Sequence, residues 1–236
     1  MQITETNHTL HIFREGSCNS YLIVSSGEAL LVDPGKVHKV QFLEKKLPEK
    51  GIRLEQIRHI VLTHTHYDHV AGLKRLLEKT DARVWVQRKE AGFLENGETP
   101  FPGGTGPFFR MISWFGTKCL SPLSKYPPVS PTDRVDDKTT LQTGKILVTL
   151  IPTPGHSPGS LTILAGRYAL VGDTCFHIFP GKNYPPFADD PAQLIKSWKK
   201  LLNLPVETFY PGHGKPFPRQ MLETNYEKKL NRSNHV

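Results

Sequence analysis

The stretch from Val61 to Gly72, VLTHTHYDHVAG, gathers His64, His66, Asp68 and His69 into a six-residue window. Neutral imidazole is the commonest protein ligand for metal ions, and carboxylates complete hard or borderline sites. The same residue types recur where other apolar runs end: His156 after KILVTLIPTPG, Asp173 after YALVG, and His213 after TFYPG. Two apart on an extended segment, His64 and His66 can point the same way, while Asp68 and His69 turn into the next helix and can face a second ion. Five histidines and two aspartates exceed what one tetrahedral ion needs; they suit two ions that share a bridging carboxylate. His38, His59 and His177 fit no such pattern and read as ordinary surface or core residues.

Rigid strands must deliver these side chains to one rim. HTLHIFR, NSYLIVS and EALLVDPG are short β-branched or aromatic runs separated by turn residues, followed by a helical spacing of Val37, Val40, Leu43 and Leu47. IRHIVL reads as a buried strand leading into the His/Asp cluster, VAGLKRLLEKT as one helix, DARVWVQ as a strand and RKEAGFLE as a short helix. KILVTLIPTPGH, SLTILAG and RYALVGD read as three adjacent strands. ADDPAQLIKSWKKLL has the clearest helix start, with Asp190 as N-cap and Pro191 at the first helical position. ETFYPGHG is a last strand, and the basic tail from Lys215 reads as one helix with a frayed end. Residues 97–132, rich in Gly, Pro and aromatics, lack a helical or strand period and read as an irregular insertion. Phe101, Phe108, Phe109, Trp114 and Phe115 either pack it onto the core or make it a lid or binding loop. Strands interleaved with helices, without a linker or repeat, point to an α/β layered chain forming a single domain over 1–236.

Composition narrows the function classes. At 236 residues the chain can bury a full core, and no apolar run reaches membrane-spanning length. The start lacks a basic segment followed by an apolar one, and Cys18, Cys119 and Cys175 match no disulfide framework. A cytoplasmic location is therefore expected. The net charge of +8 is spread along the chain among glutamates, so a solvated basic surface is the plainer reading and nucleic acid is not the expected partner. The expected partner is a small-molecule substrate, with no membrane involved; oligomeric state is not encoded in any motif.

His-x-His-x-Asp-His, then PGHS, GDT and PGHG, in that order, resembles the metallo-β-lactamase fold superfamily, and NSYLIVSSGEALLVDPG resembles its opening strands. The resemblance runs from about Asn19 to Gly214. It implies a four-layer αββα sandwich with a metal site at one edge of its two sheets. By matching motif, His64, His66 and His156 would hold a first ion and Asp68, His69 and His213 a second, with Asp173 bridging. Asp33, in the DPG turn, would orient a ligand. The resemblance implies two divalent ions, zinc first, with iron or manganese as alternatives.

Within the superfamily, His66 stands where flavodiiron-type proteins carry Glu, and zinc β-lactamases lack the bridging aspartate that Asp173 would supply. VGDTCF and the YPGHG end look like the glyoxalase-II-like hydrolases, although only a short basic tail follows His213. The expected activity is hydrolysis of a thioester or related acyl ester or lactone by a hydroxide bridging two metals, with Asp68 or Asp173 as proton acceptor. The alternatives are a mononuclear iron oxygenase resembling persulfide dioxygenases, and a phosphodiesterase or nuclease. The specificity pocket is expected between 97–132 and 176–190, where Lys182 and Tyr184 are candidate substrate contacts, with loop packing and a solvated charge as their plainer roles. Cys175 reads as a buried structural cysteine.

Overall fold

The computed structural model describes residues 1–4, 7–119 and 124–233; part of the 97–132 insertion and the expected frayed end of the tail lie outside this range. The first sheet is built from β1 (Gln2–Thr4), β2 (Thr9–Phe13), β3 (Ser20–Ser25), β4 (Glu28–Val32), β5 (Ile57–Val61), β6 (Arg83–Gln87) and β7 (Asp133–Val135), in that spatial order. Its first four strands are antiparallel and β4 to β7 run parallel. The second sheet takes β8 (Thr139–Thr143), β9 (Ile146–Pro152), β10 (Leu161–Ala165), β11 (Tyr168–His177), β12 (Thr208–Gly214) and β13 (Phe217–Pro218). All its pairs are antiparallel except β11 with β12.

The strands β2, β3, β4, β10 and β11 are buried on two faces, which produces their near-continuous apolar sequences. Leu10, Ile12, Ile23, Leu30 and Val32 meet Val148, Leu150, Ile163 and Leu170 between the sheets. The opposite face of the first sheet, with Leu22, Leu31 and Val84, receives α1 (Val37–Lys46), α3 (Leu73–Leu77) and α4 (Arg88–Asn96). The outer face of the second, with Ala169, Val171 and Phe209, receives α6 (Pro191–Leu202) and α7 (Arg219–Ser233). Helix, sheet, sheet, helix is the αββα order that the family resemblance implies.

Three local expectations need correction, and a group of short strands escaped the sequence reading. The single helix expected over 70–80 is two, α2 (Tyr67–Val70) and α3, broken at Gly72. Gly72 donates to Gly35 O, and a Cβ there would press on Val40 and the Gly35 carbonyl. Residues 97–132 are not irregular throughout: Pro107–Cys119 form α5. Its inward stripe is Phe109, Ile112–Ser113 and Gly116, whereas Phe108, Met111, Trp114 and Phe115 lie exposed. Small residues on the buried side and large ones outside conceal the helical period. The third is Asp173, which does not end its strand but sits inside β11, where the register with β12 shifts on both sides of Gly172. Such an irregularity re-aims a side chain within a strand. Lastly, the short polar strands β1, β7, β8 and β13 carry too little alternation to be read from sequence.

Candidate metal centre

All seven predicted ligands converge at one edge of the sandwich. The first sheet supplies the segment after β5 with α2, and the second supplies the loop after β9, the irregularity in β11 and the end of β12. Ligating atoms of His64, His66 and His156 lie within 4.8 Å of one another, and so do those of Asp68, His69 and His213. His64, His69 and Asp173 form a third such group that joins the other two. Asp173 Oδ2 is 3.5 Å from His156 Nε2 and 3.3 Å from His213 Nε2, and Oδ1 is 3.5 Å from His69 Nε2. His38, His59 and His177 stand outside the cluster; His59, for instance, faces Trp85 Nε1 at 3.1 Å.

The outer hydrogen bonds fix which imidazole nitrogens face inward. Asp33, at φ 53° in the left-handed region, accepts from Thr63 N at 2.8 Å, Thr63 Oγ1 at 2.6 Å and His69 Nδ1 at 2.8 Å. Since the Thr63 hydroxyl proton is committed to Asp33, His64 Nδ1 must donate to Thr63 Oγ1 across 3.0 Å. His156 Nδ1 donates to the Phe187 carbonyl at 2.9 Å, because a carbonyl can only accept. Three imidazoles therefore turn Nε2 toward the common centre, the arrangement of metal-ligating histidines.

Burial sets the electrostatics. It pushes His64 and His66 well below the ordinary histidine range, with neighbouring imidazoles adding to the effect, so both are held neutral with lone pairs available. Burial alone would raise Asp173, but His213 and His69 hold it well below the usual carboxylate range. Against a burial effect of opposite sign, Asp173 and the nearby acidic groups lift His69 and His213 above the ordinary value. Protonation is thus favoured at His69 and His213 and disfavoured at His64, His66 and Asp173.

Two observations test whether a metal fits. His64 Nε2 and Asp173 Oδ1 are buried without a hydrogen-bond partner, a costly condition that coordination would relieve. His156 Nε2 and His66 Nδ1 also face each other at 3.0 Å with no carboxylate between them. Clustered imidazole and carboxylate donors of this kind fit zinc, iron or manganese.

Several positioning residues escaped the sequence reading. Glu90, fully buried on α4, accepts from Thr65 N, Thr65 Oγ1 and Gly159 N at 3.1, 2.5 and 2.9 Å. It ties the His64–His66 segment to the loop carrying His156. Thr63 and Thr65 alternate with the histidines, so a period of two places them opposite, toward Asp33 and Glu90; that was the legible signal. Asn19 and Tyr21 grip the end of β12 just before His213: Asn19 Nδ2 and Tyr21 Oη donate to Pro211 O at 2.9 and 2.6 Å. Nothing in their spacing announces this role.

A cleft of about 270 Å³ opens over the centre, walled by Lys36, Tyr67, Phe101, Phe176 and Phe187. Neither Lys182 nor Tyr184 lines it; both face a neighbouring apolar cavity. Tyr184 packs edge-on against Trp198, at 5.7 Å between ring centroids. Cys18 and Cys175 are buried free thiols, Cys175 within the α6 core and Cys18 donating to Asp68 O at 2.9 Å.

The family model of the metallo-β-lactamase superfamily matches residues 13–213. A probable metallo-hydrolase of Methanocaldococcus jannaschii is 30% identical over 202 residues, 84% of this chain and 88% of that protein. A hydroxyacylglutathione hydrolase of Methylobacillus flagellatus is 28% identical over 194 residues, 82% of this chain and 60% of the longer relative. Among solved structures, an archaeal metallo-β-lactamase superfamily protein from Sulfolobus tokodaii aligns with TM-score 0.67 at 21% identity, over 94% of this chain and 86% of that one. At that identity the likeness concerns the fold.

Proposed function

Because the chain belongs to the metallo-β-lactamase superfamily, we propose that it is a dinuclear metal-dependent hydrolase of thioesters or related acyl esters. The observation that carries this reading is the pair of three-residue donor groups joined through Asp173. His64, His66 and His156 would hold one ion, Asp68, His69 and His213 the other, and Asp173 both. Two bound ions would supply a water acidic enough to serve as nucleophile near neutral pH and a Lewis acid for the acyl oxygen. Zinc is the first choice, and one relative is described as a probable polyketide biosynthesis zinc-dependent hydrolase.

The chain's own groups do the remainder. Asp33 and Glu90 fix the ligand segments before substrate arrives. Asp68, half-buried at the cleft with Oδ2 3.4 Å from His213 Nε2, would take the proton of the attacking water. Phe101, Phe176 and Phe187 narrow the cleft and keep bulk water off the reacting centre. The thioester preference follows the relatives described as hydroxyacylglutathione hydrolases.

The test is hydrolysis of a panel of thioesters, lactones and phosphodiesters by the metal-replete protein, read as thiol release for the thioesters and as acid release for the others. Thioester cleavage is expected, abolished by chelation. His66→Ala and Asp173→Ala should each lower it more than about 100-fold, beyond the 10–100-fold typical of losing an outer partner. Full activity in either variant would contradict the dinuclear site.

A further inference from the structure

Beside the cleft lies a larger, open-mouthed cavity of about 970 Å³, bordered by α5, the 178–186 loop and α7. Its volume is at the upper end of what sites for small organic ligands require, roughly 300–1,000 Å³. The walls are mainly apolar: Phe108, Phe109, Phe176, Ile178, Phe179 and Pro185. Phe108, Ile178 and Phe179 are 62%, 56% and 64% exposed, a concentration of large apolar side chains that water does not favour. Lys182, Lys228 and Lys229 line the same cavity.

The cavity and the cleft share a wall. Phe176 lines both, and its ring stacks on His213 at 4.7 Å between centroids. Phe109 of the cavity packs edge-on against Phe187 of the cleft at 5.4 Å, and the Phe187 carbonyl is the one that holds His156. The segment bearing Phe187 pairs with the insertion through the Gly104–Phe187 bridge and the bond from Thr105 N to Pro186 O. An apolar space of this size, one aromatic ring from the ligands, suits a substrate far longer than a two- or three-carbon acyl group.

We propose that this cavity receives the hydrocarbon chain of the substrate, so that the chain acts on medium- to long-chain acyl thioesters. This rests on the hydrolase reading of the adjoining centre. In the reaction the carbonyl carbon–sulfur bond breaks, water supplies the new carbon–oxygen bond, and the thiol leaves with a proton; no oxidant or reductant is needed. The carboxylate forms at the metal centre, and the apolar walls of the cavity, not its rim lysines, hold the hydrocarbon chain.

Two measurements on the full metal-replete chain test it. The first compares kcat/KM for acetyl, hexanoyl and decanoyl thioesters of one small thiol. A gain of about tenfold or more from acetyl to decanoyl is expected, a size that added methylenes in an apolar pocket supply. Ile178→Asp with Phe179→Asp, both at exposed positions, should erase the gain and leave the acetyl rate unchanged; Phe108→Asp attacks the opposite wall. A flat series, or a gain that survives both variants, overturns the proposal while leaving the hydrolase reading intact. The second is calorimetric titration with decanoate, which needs no turnover. Binding that the aspartate variants abolish supports the cavity assignment even if no thioester is cleaved, in which case it is the hydrolase reading that fails. No decanoate binding by the wild-type chain overturns the proposal.

Discussion

Asp33 concentrates three hydrogen bonds on one carboxylate and holds a left-handed backbone to do so. Such a conformation costs roughly 1–3 kcal/mol outside glycine and persists only where surroundings over-determine it. Asp33→Ala removes the acceptor for His69 Nδ1 and breaks the relay that fixes the His64 tautomer. Metal affinity is expected to fall about 10–100-fold, measured by competition with a chromophoric chelator. Protonation offers a second check at this scale. Without metal, His69 and His213 bind protons more tightly than ordinary histidines, because Asp173 faces them. A metal ion must displace those protons, so apparent affinity should rise with pH through their raised values and level off above them. Affinity that is flat from pH 6 upward would mean these histidines are not ligands.

At the scale of elements, turns decide where the ligands arrive. A Cβ at Gly212 would overlap Asp173 Oδ1 and crowd His69 Cε1. Gly155, at φ +135°, lies against the backbone of Leu194 at the start of α6, one residue before His156. Gly212→Ala should therefore lower bound metal strongly with a smaller loss of thermal stability. Glu90→Ala should do the reverse first: it strands two buried backbone N–H groups and a hydroxyl, each at about 1–3 kcal/mol, and thermal melting would register it directly. The sequence made the long buried strands and α6 legible, since periodicity and a capped start agree there: Asp190 Oδ1 accepts from Gln193 N at 2.8 Å. It concealed α5 because Ser113 and Gly116 occupy the buried stripe, and it concealed the bulge at Gly172 because strand pairing is non-local. The candidate ligands were legible as types in order; their supports, Glu90 and Asn19, were not, since a buried contact across 69 or 192 positions leaves no local pattern.

The whole molecule is a sandwich whose two sheets are joined at one edge by the donor cluster. Ligand side chains come from the first sheet's β5 end and from three places on the second, so bound ions would cross-link the layers. Removing them should loosen that edge. For free metal at about 1,000 times its dissociation constant, the loss is about 4 kcal/mol, or a melting temperature lower by roughly 10 °C for a chain of this size. A chelated protein that melts unchanged would contradict this. Among the described residues no helix is long and apolar enough to cross a membrane.

The central claim is that the histidines and aspartates hold two ions. Elemental analysis of the chain, purified without added metal or chelator, tests it most directly. About two divalent ions per chain are expected, falling in the His66→Ala and Asp173→Ala variants. A single iron per chain, or a metal-free protein that still cleaves thioesters, would contradict it.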